Sequence, residues 1–421
     1  MKAESRFFAV GEKLNVKEKL LDMLTDKHLD AYAQVMIWAL DTARGRRLRA
    51  GNLVLLQSDP AAAALAEKIY TLLLRRSLQP VVRWNPTVSM EHDFYALGED
   101  KQLTFHPPGT KELLGALHGA IHLRAPESLT HLRDVRPERI SMATLARKPL
   151  RDILDAREHR GLFGWTLAML PTEQMALAAN MDLEAYSRQI VKACYLDSDD
   201  AVKNWREVFA AISRIKRWLN GLNPKALHVV SENMDLEVSI GEQRKWVGLS
   251  GHNIPSFEVF LSPDWRGVRG VYFADQPSYR NGNLVSGVRL EFSDGRVSSA
   301  QAEQGEAFLR SQVSMDQGAA QVGEFSLTDK RFSRIDAFMA NTLFDENYGG
   351  ASGNCHLALG SSYVESFSGR MADLDKRRKR SLGFNESALH WDLVNTRPKV
   401  VTARLRSGKS RVIYENGEFC C

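Results

Sequence analysis

Residues 51–82 read GNLVLLQSDPAAAALAEKIYTLLLRRSLQPVV and decide the fold class of the N-terminal half. Gly51 precedes an apolar segment at 53–56 that is typical of a buried strand. Asp59 followed by Pro60 predicts the start of a helix, because aspartate favours the N-cap and proline the first helical position. A second strand begins at Pro80. A strand, a helix and another strand within about thirty residues predict a parallel sheet built from βαβ units.

Two further units of this kind are predicted, one around 111–123 and one after Thr144. A helix with apolar residues at helical spacing follows at 199–222, and Gly221 is the predicted stop. We therefore divide the chain into an N-terminal α/β domain, residues 1–224, and a C-terminal domain, residues 225–421. The second domain is predicted to be a sheet-rich α+β domain, because its apolar segments are short, alternating and separated by turn residues.

Local signals in the C-terminal half predict two hairpins and two helices. Asp294-Gly295 and Asn416-Gly417 are hairpin-type dipeptides. Helices are predicted at 301–309 and at 329–341.

Composition excludes several classes of protein. The 421 residues exceed the size at which one core keeps growing, and 44% apolar with 25% charged residues is typical of a folded globular protein. A net charge of +5 is too small to indicate a nucleic-acid partner. Four cysteines without a C-x-x-C pair predict neither a disulfide framework nor a zinc ribbon. The charged first twenty residues and the lack of a long apolar run predict a cytoplasmic protein without a signal peptide or a membrane span.

Residue types that bind metals occur in short clusters through the C-terminal part. Carboxylates lie in N-I-P-S-F-E-V-F, V-G-E-F and L-F-D-E-N, a histidine lies in C-H-L-A-L-G, and L-H-W-D contains a histidine and an aspartate. The candidate ligands are Glu258, Glu324, Glu346, His356, His390 and Asp392. These oxygen and nitrogen donors suffice for two divalent ions, so the sequence favours a two-metal hydrolase.

Each candidate also has an ordinary structural interpretation. A single carboxylate is as often part of a buried salt bridge or a helix cap, and a lone histidine such as His356 is more often a satisfied core residue. His390 and Asp392 are two residues apart, so a strand would point both to one face. Asp345 is an alternative to Glu346 as the ligand. The Cys355 thiol is interpreted as buried and inert.

The run Asp375 to Arg380 is the dense basic block of the sequence. A solvated loop or helix face is the ordinary interpretation, and attraction of acidic substrates is the alternative. Aromatic residues are not interleaved with these cations, which argues against nucleic-acid binding.

Taken together, these motifs resemble the thermophilic-aminopeptidase family, the M29 metallopeptidases. The order and the surroundings of N-I-P-S-F-E-V-F, V-G-E-F, N-T-L-F-D-E-N, C-H-L-A-L-G-x-x-Y and N-E-S-A-L-H-W-D match across nearly the whole C-terminal half. The resemblance implies that the six candidates bind two divalent ions, with Glu324 as the bridge and as a proton acceptor. It also implies that Tyr363 is the active-site tyrosine.

The resemblance further implies a metal-dependent aminopeptidase acting on short peptides, with Zn, Co or Mn as cofactor. The N-terminal domain would shape the site and form a homodimer. Two features depart from the family: the Gly-rich segment 347–355 is longer and is expected to form a loop over the site, and Phe257 replaces a second acidic residue. The alternatives are another metalloenzyme on this scaffold, such as a mononuclear-iron ring-cleaving dioxygenase, and a non-catalytic binding protein that uses the basic run.

Overall fold

A computed structural model of the chain describes residues 24–421. Its first half alternates helices with short strands, as the βαβ pattern predicts. The elements are α1 (Asp26–Ala43), β1 (Leu53–Ser58), a 3₁₀ turn (Pro60–Ala62), α2 (Ala63–Arg75), β2 (Gln79–Trp84), α3 (Val88–Leu97), α4 (Asp100–Leu103), α5 (Thr110–Ala116), β3 (Gly119–Arg124), α6 (Pro137–Glu158), β4 (Trp165–Met169), α7 (Glu173–Ala178), α8 (Leu183–Ala193) and α9 (Ala201–Leu222).

The strands of this half, with β8 (Asn253–Ile254), form a parallel sheet in the order β2-β1-β3-β4-β8. Strand β8 lies beyond the predicted domain boundary, so the first sheet takes its last strand from the second half. Alternate residues of β1 face opposite sides. Val54 and Leu56 belong to the same core as α1 and α2, whereas Leu55 packs with Leu114 of α5.

The helix that precedes the boundary ends at Leu222, as the range 199–222 predicts, but its stop is a different residue. Helix α9 continues through Gly221, and Asn223 stops it in the left-handed conformation with a φ of 49°. Asparagine tolerates this conformation better than most residues. The prediction that Gly221 is the stop was therefore wrong.

The second half is dominated by antiparallel strands. Its elements are β5 (Pro224–Ser231), β6 (Met234–Ser239), β7 (Val247–Gly248), β9 (Glu258–Leu261), β10 (Arg269–Ala274), β11 (Ser278–Arg280), β12 (Asn283–Val285), β13 (Val288–Ser293), β14 (Arg296–Gln301), α10 (Glu306–Val313), β15 (Val322–Thr328), α11 (Thr342–Asp345), β16 (Asn354–Gly360), α12 (Lys376–Ser381), β17 (His390–Asn395), β18 (Lys399–Leu405), β19 (Ser410–Glu415) and β20 (Glu418–Phe419).

Two sheets organise these strands, with β11 and β12 pairing separately. An eight-stranded sheet has the order β14-β13-β10-β6-β5-β18-β19-β20, and a five-stranded sheet has the order β17-β16-β15-β9-β7. The predicted fold class is confirmed: a mixed α/β protein with a parallel N-terminal sheet and antiparallel C-terminal sheets. The division at residue 224 stays a prediction. The two halves are in contact across it, since Trp205 of α9 stacks on Phe257 at a centroid distance of 5.3 Å.

Both hairpin predictions are confirmed, since Asp294-Gly295 joins β13 to β14 and Asn416-Gly417 joins β19 to β20 with positive φ at each residue. The helix predicted at 301–309 begins only at Glu306, because Gln301 still belongs to β14. The helix predicted at 329–341 is absent, and the short α11 follows this segment. There the Asp329 carboxylate accepts hydrogen bonds from the backbone N–H of Arg331 and of Phe419, so long-range contacts replace the helical ones.

Within residues 24–421, no helix is both long and apolar enough to cross a membrane.

Candidate metal centre

Strand register brings five of the predicted ligands onto one face of the five-stranded sheet. In antiparallel pairing, residues directly opposite each other point to the same side. Glu324 of β15 lies opposite Ala358 of β16, and Ala358 lies opposite Asp392 of β17. By the same pairing, this face also carries Glu258, His356 and His390. The other face is apolar and packs in the main core, with Val259, Phe325, Leu327, Leu357, Trp391 and Leu393.

The five side chains converge around Glu324. The Nε2 atom of His356 lies 3.3 Å from Glu324 Oε1 and 3.3 Å from Glu258 Oε2. The Nε2 atom of His390 lies 3.5 Å from Glu324 Oε2 and 3.3 Å from Asp392 Oδ1. Glu324 therefore presents one carboxylate oxygen to each histidine.

Two groups with metal-binding potential result, and Glu324 belongs to both. In each group the ligand atoms lie within 4.8 Å of one another; the groups are Glu258 with Glu324 and His356, and Glu324 with His390 and Asp392. Glu258, Glu324 and His356 are buried, and His390 and Asp392 are partly exposed to the cavity described below.

Glu346 reaches the site from a different element. It follows α11 and belongs to neither group of three, but it is buried and lines the same cavity. The Asn253 amide lies 3.3 Å from its Oε1 atom. The neighbouring Asp345 is used otherwise, because its oxygens accept the backbone N–H groups of Met339 and Asn341 at 2.7 and 2.8 Å. Between the two acidic residues, Glu346 is the one that faces the cavity.

The cluster holds more negative charge than its two imidazoles neutralise. Burial and the charge of Glu324 raise the pKa of Glu258 to about 8. Burial and the carboxylate of Asp392 raise the pKa of Glu346 well above its usual range. Burial opposes the charged form of His356, but the nearby carboxylates outweigh it and raise its pKa to about 9. Such a site retains protons unless a cation replaces them, which suits a divalent metal.

Gly323 places Glu324 by permitting close backbone packing. A β-bulge falls between Val322 and Glu324, and a Cβ atom at Gly323 would lie 2.2 Å from the carbonyl oxygen of Ser361. Any larger residue would push β15 away from the chain that follows β16. Gly323 is therefore needed for the close approach of β15 to the backbone of Ser361.

His390 is oriented by groups that sequence reasoning did not find. Its Nδ1 atom lies 2.9 Å from the carbonyl oxygen of Ser361, so this nitrogen donates and Nε2 faces the carboxylates. The guanidinium of Arg280, on β11, donates a hydrogen bond of 2.8 Å to the carbonyl oxygen of His390. Burial lowers the pKa of Arg280 to about 10, and the Asp392 carboxylate opposes this shift. No local motif marks Arg280, because it is 110 residues from His390 in the sequence.

Tyr363 lies at the same site. Its ring packs edge-on against His390 with centroids 4.7 Å apart, and it lies tilted against the Phe260 ring at 5.6 Å. Its backbone N–H donates to the Ser262 hydroxyl at 2.8 Å, which fixes the segment that follows β16. The side chain is 37% exposed and lines the cavity.

A cavity of about 650 Å³ opens over these residues. One wall comes from α6 and includes Arg151, Asp155 and Glu158. His252 lies on this wall, with Nδ1 at 2.6 Å from the Ser250 hydroxyl and Nε2 at 2.5 Å from Glu158. Both halves of the chain therefore enclose the candidate metal centre.

Three neighbouring segments differ in their relation to the cavity. The Gly-rich segment 347–355 does not line it, although Glu346 and His356 on either side do, so the expected loop over the site was wrong. Instead, the Asn347 side chain accepts a hydrogen bond of 2.5 Å from the backbone N–H of Phe257, the residue directly before β9, and so holds the start of that strand.

Burial raises the pKa of the Cys355 thiol to about 11, as an inert cysteine requires. The basic run forms α12, and Lys376 and Lys379 line the cavity.

Comparison with known proteins finds aminopeptidases that are similar to this chain over nearly its whole length. Aminopeptidase PepS of Streptococcus thermophilus is 26% identical over 93% of this chain and 98% of its own length. Aminopeptidase 2 of Geobacillus stearothermophilus is 28% identical over 94% of this chain and 98% of its own length. The solved structure of wild-type AmpT from Thermus thermophilus superimposes with a TM-score of 0.75 at 22% identity, covering 94% of this chain and 99% of that one.

At 22% identity the structural likeness shows a shared fold. Membership of a family is shown by a separate comparison. The model of the thermophilic metalloproteases, M29, matches residues 25–419. This range contains every candidate ligand and Tyr363. The chain therefore belongs to the M29 family of thermophilic metalloproteases.

Proposed function

We propose that this protein is a metal-dependent aminopeptidase that removes N-terminal residues from short peptides with the help of two divalent ions. The observation that carries the proposal is the position of Glu324, whose two oxygens face two different histidines. Membership of a metalloprotease family and relatives named aminopeptidases support the same reaction class.

The residues present fit a pair of divalent cations. Four carboxylates and two imidazoles converge in one buried region, and unpaired burial of so many acids is costly without a cation. Glu258 and His356 would hold one ion, and His390 and Asp392 the other. Glu324 would be shared, and Glu346, directly after α11, would complete the set. Oxygen and nitrogen donors suit Zn, Co and Mn alike, so metal analysis of the purified protein is needed to identify the ions.

When bound, such ions lower the pKa of water toward neutrality and polarise a scissile carbonyl. The remaining chemistry belongs to side chains of the protein. Glu324 accepts the proton that the attacking water loses. The Tyr363 hydroxyl donates a hydrogen bond to the carbonyl oxygen as negative charge develops on it. The Ser361 carbonyl keeps His390 in the tautomer that presents Nε2 to the site.

Cavity shape supports short substrates. The space of about 650 Å³ is walled by α6 on one side and by the ligand-bearing sheet on the other, so it admits a chain end more readily than a folded surface. This gives the N-terminal half a role in shaping the site. A homodimer is part of the proposal, and its support is the exposed edge strand β2, where Val82 and Trp84 are 40% and 51% exposed.

The decisive test is amino-acid release from a panel of short peptides and aminoacyl chromogenic substrates. Activity is measured before chelation, after it, and with Zn, Mn, Co or Mg restored. The proposal predicts metal-restored removal of one residue at a time from free N-termini, with blocked N-termini resistant. Absence of cleavage with any metal in a folded sample would contradict it, and iron content with oxygen consumption would favour the dioxygenase.

A ligand variant links this activity to the cluster. His390→Ala removes one imidazole beside Glu324, so kcat/KM is expected to fall at least about 100-fold, because even changes to outer contacts of metal ligands cost 10–100-fold. His228→Ala is the matched control, since its ring lies on β5 of the other sheet and contacts Asp235. Unchanged turnover in His390→Ala would exclude the cluster as the catalytic site.

A further inference from the structure

A second cavity, of about 350 Å³, lies outside the carboxyl ends of the parallel strands. Asp59 and Pro60 follow β1 directly, Pro86 follows the end of β2, Ala125 follows β3, and Met169 ends β4. All of these residues line the cavity, so four neighbouring strands open into one crevice.

The topology of the sheet places this crevice at a reversal of strand order. From β1 the chain moves to β2 on one side, and it then returns to β3 on the other side of β1. Helix α2, which follows β1, packs in the core with α1, whereas α6, which follows β3, packs on the opposite face with α5. The two connections diverge, and open α/β sheets bind their ligands at this kind of position.

One wall of the crevice is a built polar site. Asp59 is 8% exposed, and its carboxylate accepts hydrogen bonds from the Asn85 amide at 2.5 Å and from the Ala125 N–H at 2.7 Å. Arg124 lies 3.2 Å from the same carboxylate, and its side chain is 47% exposed. Asp59 therefore holds the guanidinium at the crevice while part of it stays accessible. The N-terminal end of α3 also meets the crevice at Thr87 and Val88, which adds partial positive charge.

Acidic side chains also line the crevice. Glu91 and Glu127 belong to this lining, and Glu91 Oε2 lies 3.0 Å from Nε2 of His131. The other ring nitrogen of His131, Nδ1, is buried without a hydrogen-bond partner among the described residues. With carboxylates outnumbering guanidinium groups in the lining, a polyanion such as a nucleotide is disfavoured, and a molecule carrying both charges is favoured.

Apolar side chains complete the crevice. Leu167, Met169 and Leu343 line it beside the ring of Tyr279. A few convergent polar groups on an apolar wall are typical of small-molecule sites. The combination requires a ligand with an anionic group, a cationic group and a modest apolar substituent.

We propose that this crevice binds a free α-amino acid with an apolar side chain. Its carboxylate pairs with Arg124, its ammonium group pairs with Glu91, and its side chain packs on Leu167, Met169 and Leu343. This site does not depend on the proposed peptidase reaction.

The crevice is distinct from the metal-centre cavity. Their linings share no residue among those that the structure describes. They approach each other at α11, where Leu343 lines the crevice and Glu346, three residues later, lines the other cavity. A test must therefore separate the two sites, because an amino acid can also bind at a metal centre.

The experiment is calorimetric titration of the metal-loaded full chain with L-leucine. Arg124→Gln and Glu91→Gln are the test variants, and Arg83→Gln, an exposed arginine on neighbouring β2, is the matched control. Each is also titrated in a Glu324→Gln background, where binding at the metal centre is weakened. We expect at least tenfold weaker leucine binding in both test variants, equivalent to about 1.4 kcal/mol, and unchanged binding in Arg83→Gln.

Two analogues test the chemical class. N-acetyl-L-leucine lacks the ammonium group and 3-methylbutylamine lacks the carboxylate, so both are expected to bind at least tenfold more weakly than leucine. Leucine binding that is equal in the unaltered chain and both test variants would overturn the proposal. So would Arg124-dependent binding of inorganic phosphate, or Glu91-dependent binding of 3-methylbutylamine, with the affinity of leucine. Circular dichroism confirms that each variant is folded, and if Arg124→Gln fails, Glu91→Gln decides alone.

Discussion

The ring of Tyr363 packs edge-on against His390 with centroids 4.7 Å apart, although the two residues lie on different segments of the chain. This contact joins the proposed oxyanion donor to a proposed metal ligand. It is specific enough to separate the roles of the two residues by substitution.

Tyr363→Phe is expected to lower kcat about 100-fold to 1000-fold, with little change in KM or metal content. The ring packing remains, and only the hydroxyl that donates to the developing oxyanion is lost. Steady-state kinetics with a dipeptide substrate, together with metal analysis, measures the effect. Tyr70→Phe, a 39%-exposed tyrosine on α2, serves as the control. A fall in bound metal would instead show that the hydroxyl supports the ligands.

Glu346→Gln is expected to reduce bound metal from two ions per chain to one. Glu346 lies outside both groups centred on Glu324 and would complete the ligand set of one ion, so its loss is expected to release that ion while the other is kept. Inductively coupled plasma mass spectrometry on dialysed protein gives the stoichiometry. Glu365→Gln is matched, because Glu365 lines the same cavity without belonging to either group. Two ions in both variants would remove Glu346 from the ligand set.

Arg280→Met is expected to weaken metal affinity about 10-fold to 100-fold while kcat at saturating metal is largely kept. Arg280 touches the backbone carbonyl of His390 and lies near Asp392, so it positions ligands and does not itself bind the metal. Metal titration against a competing chelator measures the change. The control is Arg296→Met, which also loses a hydrogen bond to a backbone carbonyl, that of Gln317, at an exposed place. Equal affinity in the two variants would contradict a positioning role.

Stability at acid pH is expected to depend on His122. Burial, with the nearby Arg124 charge, lowers the pKa of His122 from 6.5 to about 4. Between these values the unfolded chain binds a proton that the folded chain does not, so the free energy of unfolding falls as pH decreases from 6.5 to 4. The loss is at most about 3 kcal/mol and is complete below pH 4.

Urea unfolding across this pH range, with chelator present throughout, measures the effect. His122→Gln should show a shallower decline than the unaltered chain. His228→Gln, whose ring is 41% exposed, should decline like the unaltered chain. A decline of equal slope in His122→Gln would assign the pH dependence to other groups.

Much of the local structure was predictable because its signals lie close together in the sequence. Strand β1, helix α2 and strand β2 fall within 51–82, where apolar spacing and turn residues specify each element. The helix predicted at 329–341 failed because Asp329 bonds to Phe419, a partner that local spacing cannot reveal. The motif around each candidate ligand was equally local, and all six residues line one cavity.

The sequence by itself determined the alternation of helices and strands, the ligand types and the tyrosine beside them, because each is written within a few neighbouring residues. Only the tertiary structure decided that Glu258, Glu324, His356, His390 and Asp392 share one face, since that depends on the register of four strands. It also decided the contact of Arg280 with His390 and the return of β8 to the first sheet. Strand pairing and buried contacts between residues a hundred positions apart follow from packing of the whole chain, which no local pattern encodes.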